Sequence, residues 1–458
     1  MSASARALAL CAALAAAPAW AGTGLLQAWQ AAQAHDPSYA GASASRAAGG
    51  AKRDQGRALL LPQVTASASG GLASDDRNTT GARFVAPGFG NSSDVGFHTH
   101  VGGGTATNWA VALQQPIYNA ERFAGAHQLR TQADLAEARF ERARQQLMVA
   151  VARAYFEVLI AEESLHTIRA QKASYAEALD ATRALFQEGK LPVTDSAEAE
   201  ARFDEIAAAE IAAEADLQLR QAAFSDRTGL AGTGLTPVSA QARLDELDPG
   251  PLERWLGEAR QGSLELQVER LNQDVAHSET RKFKGMLSPS LDLVARVSDD
   301  RLSGDSGWGS SSLTARSQYV GVQLTVPVFE GGMRSARYSE SVALASKADA
   351  EADEASQRVA RETRAAWLSV SSGLAQLQAS QRALQSAQTR LDATQLGHDI
   401  GARTTLDLLN AKADLHRAHL ALVQARHRVI AGRLDLAAAA GELTEGDLAG
   451  MDRFLGEP

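Results

Sequence analysis

Three histidines in one stretch, His416, His419 and His427, come nearest to a spacing that could do chemistry. Residues at i and i+3 share a helix face, and two imidazoles so placed can ligate a metal. No second ligand cluster in the sequence joins them, so a solvated helix face is the better reading. His98 and His100 stand in a Gly- and Ser-rich segment and are weak metal candidates for the same reason. There is no Gly-x-Ser-x-Gly, no Walker loop, no His-Glu-x-x-His and no cysteine pair. No catalytic residue, metal or cofactor is expected.

A different set of polar residues recurs. Gly-Lys-Leu-Pro-Val-Thr-Asp at Gly189–Asp195 returns as Gly-Ala-Arg-Thr-Thr-Leu-Asp at Gly401–Asp407. Gln-Pro-Ile-Tyr from Gln115 returns as Val-Pro-Val-Phe from Val326, and Arg-Ala-Tyr-Phe from Arg153 as Arg-Ala-Ala-Trp from Arg364. The near-constant offset marks a tandem duplication whose unit is longer than common solenoid repeats. Residues 22–235 form the first repeat, 236–262 a linker, 263–445 the second repeat and 446–458 a tail. Residues 1–21 are expected to be a secretory signal: Arg6 precedes a short apolar stretch that ends at Ala19-Trp20-Ala21. The only cysteine, Cys11, lies inside it and is preceded by Leu10, which does not suit a lipid-attachment site.

The 458 residues carry a net charge of −9, which removes the electrostatic basis for binding nucleic acid. No run of 18 apolar residues follows the signal, so no membrane-spanning helix is expected. Four segments alternate with period two: Gln63–Ser69, Asn108–Ile117, Ser290–Ser298 and Tyr319–Val328. Their lengths approach the 9–11 tilted residues of an outer-membrane strand. Four strands are too few to close a barrel, so a barrel requires several chains. The intervening segments, Leu72–Thr105 and Asp299–Ser317, read as exposed hairpin loops.

The remainder reads as helix. Leu25–Ala58 is interrupted at His35-Asp36-Pro37. Asn119–Glu188 and Gly332–Leu396 lack proline, and each predicts a helix of roughly 100 Å at 1.5 Å per residue. Return helices follow over Asp195–Arg227 and Thr404–Ala440. Thr228–Gly262 and Gly441–Pro458 form a mixed region beside them.

Leu61-Pro62-Gln63, Arg153 to Leu159, Pro327-Val328-Phe329-Glu330-Gly331-Gly332 and Gly401-Ala402-Arg403-Thr404-Thr405-Leu406-Asp407-Leu408-Leu409-Asn410-Ala411 together resemble the TolC family of outer-membrane efflux proteins. The resemblance covers nearly the whole chain after residue 21. It implies an α+β membrane protein. Three copies would each give four transmembrane strands to one twelve-stranded barrel, continued by a long periplasmic helical barrel. It implies a channel that exports proteins or small molecules, and no enzyme. Its partners would be a periplasmic adaptor and an inner-membrane ABC or RND transporter, with lipid of the outer membrane around the barrel.

The resemblance also assigns roles at the two turns. Asp407 and Asn410 take the positions of the constriction, where the family has two rings of carboxylates; here Asn410 makes the second an amide ring. A ring of three like charges favours cations. Thr194, Asp195 and Arg403 take the positions of a latch that holds the tip closed. His398 stands where the family has a tyrosine, and an imidazole there predicts sensitivity to pH near neutrality. From spacing alone, Asp195 and Asp407 are also ordinary first-turn carboxylates of helices. Two other classes compete: a soluble periplasmic adaptor with helical hairpins, and a structural helical filament. The doubled Pro116 and Pro327 strand exits argue against the first, and the second leaves the four alternating strands and the two loops unexplained.

Overall fold

The computed structural model describes residues 22–88, 90–190, 192–285, 288–305 and 309–456. The expected signal, with Cys11, lies outside them. The elements are α1 (Leu25–His35), α2 (Pro37–Ala58), β1 (Gln63–Ala86), β2 (Gly90–Asn119), α3 (Ala120–Gln187), α4 (Val193–Thr228), a 3₁₀ turn (Leu244–Leu247), α5 (Leu252–Gly262), α6 (Leu264–Phe283), β3 (Ser290–Asp305), β4 (Ser310–Thr325), α7 (Met333–Asp399), α8 (Thr405–Ala440) and α9 (Glu445–Asp452). The chain divides into two compact units.

The first unit comprises the chain up to Ala48, Leu135–Arg270 and Ala350 onward, and is helical. Its core gathers Trp29 of α1, Met148 and Tyr155 of α3, Phe224 of α4, and Ile430 and Leu434 of α8, all fully buried or nearly so. The Tyr155 hydroxyl lies 2.9 Å from the Thr23 carbonyl and 2.7 Å from that of Thr236, joining two segments that also pair as a short parallel bridge. Asp36 makes the break between α1 and α2. Its carboxylate accepts from the backbone N–H of Ser38 and Tyr39 at 2.8 and 3.0 Å, and Pro37 occupies the first helical position, where a missing N–H costs nothing. At the start of α1, Gly24 has no side chain to cap with; Asp452 of α9 accepts from Leu25 N–H at 2.8 Å instead.

The second unit, Gly49–Asp134 and Leu271–Asp349, holds the sheet. Its four strands lie in the order β1-β2-β3-β4, every neighbouring pair antiparallel. The register aligns Val64 with Leu113, Val111 with Val297, and Ala295 with Val320. One face is therefore apolar, through Val64, Trp109, Val111, Leu293, Val297, Val320, Val322 and Leu324, and every one of these is exposed. The other face presents Thr65, Ser67, Asn108, Arg296 and Gln323. Along β3 the apolar run from Leu291 to Val297 spans about 20 Å at the strand rise. At its end Asp299 takes ion pairs from Arg301 and Arg316, each at 2.8 Å.

The strands are longer than the alternation predicts. Most of Leu72–Thr105 and Asp299–Ser317, expected as loops, continues the two hairpins. Polar residues and glycines there interrupt the few apolar ones, such as Leu72, Phe84 and Phe97, so no period-two hydropathy marks the strand, yet the backbone ladder closes regardless of side chain. β4 ends at Thr325, before Pro327, which has no N–H for the ladder. The long helices, their returns and the break at Asp36 agree with expectation to within a few residues. The mixed regions contain the 3₁₀ turn with α5, and α9.

Candidate functional site

The two helical turns of the first unit carry the polar residues that recur in sequence. α7 ends in a glycine cap: Gly401 has φ +77°, its N–H donates to His398 O at 2.9 Å, and Ala402 N–H reaches back to Gly397 O at 2.8 Å. These two bonds satisfy carbonyls that the helix end would leave bare. The stem of Arg403 lies against Gly397, where a Cβ would come within 2.7 Å of Arg403 Cγ. α8 then starts on a capping box. Thr404 Oγ1 accepts from Asp407 N–H at 3.1 Å, and Asp407 Oδ2 accepts from Thr404 N–H at 3.1 Å and from the Thr404 hydroxyl at 3.0 Å. These bonds to the Thr404 backbone and hydroxyl hold the Asp407 carboxyl below the usual carboxylate range, with a smaller contribution from the Arg403 charge. The first-turn role of Asp407 is thus realised within the chain, while Asn410, one turn on, is exposed.

Asp195, His398 and Arg403 meet in one cleft of about 350 Å³, also lined by Glu198, Arg202 and Thr404. Thr194 is not in its lining, but its hydroxyl donates to Asp195 Oδ1 at 3.3 Å. Asp407 and Asn410 lie outside the cleft. The His398 Nε2 lies 3.3 Å from the Thr405 hydroxyl, and its Nδ1 is buried without a hydrogen bond. Asp195 and Arg403 are both exposed, and neither forms an ion pair among the described residues.

The α8 histidines do not share one solvated face. His427 is 4% exposed, packs at 5.4 Å against the Phe156 ring of α3, and neither ring nitrogen makes a well-formed hydrogen bond among the described residues. Burial pushes its pKa down to about 4. His416 and His419 instead line a cleft of about 680 Å³ with Glu163 and His166 of α3, where His419 Nδ1 stands 3.2 Å from Glu163 Oε1. Burial, then the charges of His419, His166 and Lys412, lower the His416 pKa. Among the described residues no three His, Cys, Asp or Glu side chains are arranged to hold a metal. Sequence reasoning missed the Glu163–His419 contact because it spans two helices far apart in the chain. The Thr404 cap was legible in the Thr-x-x-Asp spacing.

Residues 28–229 and 255–442 match the family model described as outer membrane efflux protein. The chain is 28% identical over 450 residues to the outer membrane protein TolC of Escherichia coli, covering 95% of this chain and 85% of that one. It is 29% identical over 429 residues to the alkaline protease secretion protein AprF of Pseudomonas aeruginosa, covering 93% and 86%. In fold it is similar to the CmeC outer membrane channel of Campylobacter jejuni, with a TM-score of 0.72 at 16% identity over 94% of this chain and 90% of that one. The outer membrane protein VceC of Vibrio cholerae gives a TM-score of 0.69 at 18% identity over 91% and 96%.

Proposed function

We propose that this chain, which belongs to the family of outer membrane efflux proteins, works as a three-chain export channel with a gated helical tip. The protein is an outer-membrane channel of type I secretion or efflux and not an enzyme. The observation that carries the trimer is the sheet. Its apolar face is exposed, and the outer edges of β1 and β4 are unpaired among the described residues. Lipid accepts such a face, and closure of twelve strands from three chains satisfies both edges. A periplasmic adaptor and an inner-membrane ABC or RND transporter feed the channel. The identity to a relative named for alkaline protease secretion favours protein export.

In this reading Thr194, Asp195, His398 and Arg403 form the latch. Asp195 and Arg403 are opposite charges, exposed and without an ion pair among the described residues, so a neighbouring copy can supply each with its partner. Such a charge-assisted contact contributes about 1–3 kcal/mol, weak enough for a docking partner to release three of them. Asp407 forms the acidic ring of the constriction and Asn410 an amide ring beside it. The capping bonds from Thr404 keep Asp407 ionised, which suits a cation-preferring pore.

Single-channel recording in planar bilayers tests this. The parent should show a small, cation-preferring conductance. Asp407→Asn should lose the preference, while Asp407→Glu, which keeps both charge and capping box, should retain it. Unchanged selectivity in Asp407→Asn moves the constriction elsewhere. Recordings across neutral pH read His398: a His398→Tyr variant with the parent's pH profile removes it from the latch. Failure of folded protein to insert sinks the channel and returns the adaptor reading.

A further inference from the structure

The lower end of the apolar sheet face does not stop where β4 stops. Val320, Val322 and Leu324 continue with the same parity into Val326 and Val328, and Val328 and Phe329 are 86% and 87% exposed. Immediately beneath lies a cleft of about 450 Å³ in the second unit, formed by the end of α6, the β4–α7 connection and the first turns of α7. Phe283, Val328, Phe329 and Tyr338 give it an apolar wall, and Arg334 stands at its rim.

Arg334 lines the cleft and is held by backbone carbonyls, while Arg337 stands one turn further along α7, outside the lining. Arg334 donates from Nε to Gly285 O at 3.0 Å and from Nη2 to Lys282 O at 2.8 Å. Those bonds close the C-terminal end of α6 and fix the guanidinium. The Cζ atoms of Arg334 and Arg337 lie 6.0 and 5.8 Å from the centre of the Phe283 ring. Neither arginine forms an ion pair among the described residues. The nearby Glu279 pairs with Lys282 at 2.7 Å and also feels the charge of Arg337, and Glu330 is the one acidic residue in the lining. An arginine pair over an aromatic ring, beside exposed Val and Phe and continuous with an apolar sheet face, has the polarity of a phospholipid: acyl chain on one side, phosphate on the other.

We infer that this cleft binds a glycerophospholipid of the inner leaflet, with the headgroup phosphate on Arg334, the Arg337 charge beside it at the shared Phe283 ring, and the acyl chain along Val328, Phe329 and Tyr338. The inference rests on the sheet's apolar face meeting lipid. Continuity with that face is the reason the occupant is a membrane lipid rather than a soluble anion. An anionic headgroup such as phosphatidylglycerol gains most, because Arg337, beside the cleft on the Phe283 ring, adds its charge to that of Arg334 against the single Glu330 of the lining. The bound lipid fixes the depth at which the helices leave the membrane.

The test uses the full-length protein in phosphatidylcholine nanodiscs doped with phosphatidylglycerol, re-extracted into detergent and examined by native mass spectrometry. The parent should retain phosphatidylglycerol in preference to phosphatidylcholine. Arg337→Gln, which breaks no hydrogen bond to the backbone, should lower that retention about fivefold, as expected for one cation near a membrane surface. Phe329→Ser should lower retention of both lipids. Insertion, scored separately by conductance, should be unchanged in both variants. Equal phosphatidylglycerol retention in parent and Arg337→Gln overturns the site and leaves the channel standing. A parent that does not insert overturns the membrane reading and this inference with it.

Discussion

α4 and α8 are the same helix written twice, and they live in different surroundings. Both run for 36 residues, both follow a positive-φ glycine, and both end on another, Gly229 and Gly441. The turn before each is closed by the same bonds: Gly189 N–H to Phe186 O and Lys190 N–H to Leu185 O repeat the pattern of Gly401 and Ala402. The difference begins at the cap. Thr404 ties down Asp407, while Pro192 at the matching position has no side-chain cap to offer Asp195. It continues along the length. α8 buries residues near its start, from Leu408 to Ala413, and along its second half, from Leu422 to Ala440, whereas α4 buries only Ala199, Phe224 and Thr228. Duplication copied the helix but not what covers it. The bare copy is the one whose carboxylate and apolar side chains remain available to another chain.

The largest test of this contrast is acid. His427 of α8 corresponds to Ala215 of α4, which is exposed. The folded-state pKa of His427 is depressed from 6.5 to about 4, so unfolding takes up a proton between those values. Stability from this group is full above pH 6.5 and falls as pH drops toward 4, by roughly 3 kcal/mol in all. His427→Leu should flatten that part of the melting temperature's pH dependence, while Ala215→His should add none. An unchanged slope in His427→Leu would mean the imidazole is not buried in the assembled protein.

Next in size is the uncovered face of α4. Ile211 and Leu219, two turns apart, are 70% and 69% exposed in the single chain. If a second copy covers them, Ile211→Asp should cost about 1.5–3 kcal/mol of assembly and shift the trimer toward monomer in light scattering, with helicity kept. A trimer of undiminished stability would show that α4 faces solvent.

The smallest test exchanges the caps. Thr404→Ala should cost about 1 kcal/mol at the α8 end. Pro192→Thr should give Asp195 a hydroxyl partner and stabilise α4 by about 0.5 kcal/mol. It should also occupy the carboxylate assigned to the latch, so closed-state lifetime in bilayers should shorten. A lifetime that does not change would take Asp195 out of the latch.

What the sequence disclosed follows from how local each signal is. Asp36-Pro37, Gly189 and Gly401 act on their own backbone within a few residues, so the helix ends were legible. The alternation at Val320, Val322 and Leu324 was legible because one face is apolar and the other polar. It failed over Leu72–Thr105 because the apolar residues there, such as Leu72, Phe84 and Phe97, are too scattered among polar ones to alternate. The burial of His427 was not legible: His416, His419 and His427 share a helix face by spacing, and only the Phe156 ring from α3 distinguishes the last. The meeting of Asp195, His398 and Arg403 in one cleft likewise needed two turns brought together across about half of the chain. For those positions the family resemblance supplied what spacing cannot.

The cap that Asp452 places on α1 sets an order of events. The carboxylate and the Leu25 amide it receives are 427 positions apart, so this bond has no local route to formation. Most of the protein must be delivered before its first helix can be closed. A chain arriving by export thread-first therefore exposes α1, with Trp29 and its unsatisfied first turn, until Asp452 emerges. Arrival of the α9 segment is in effect the completion signal for the helical unit, and chains cut short before it should present an open α1 to whatever protease patrols the compartment.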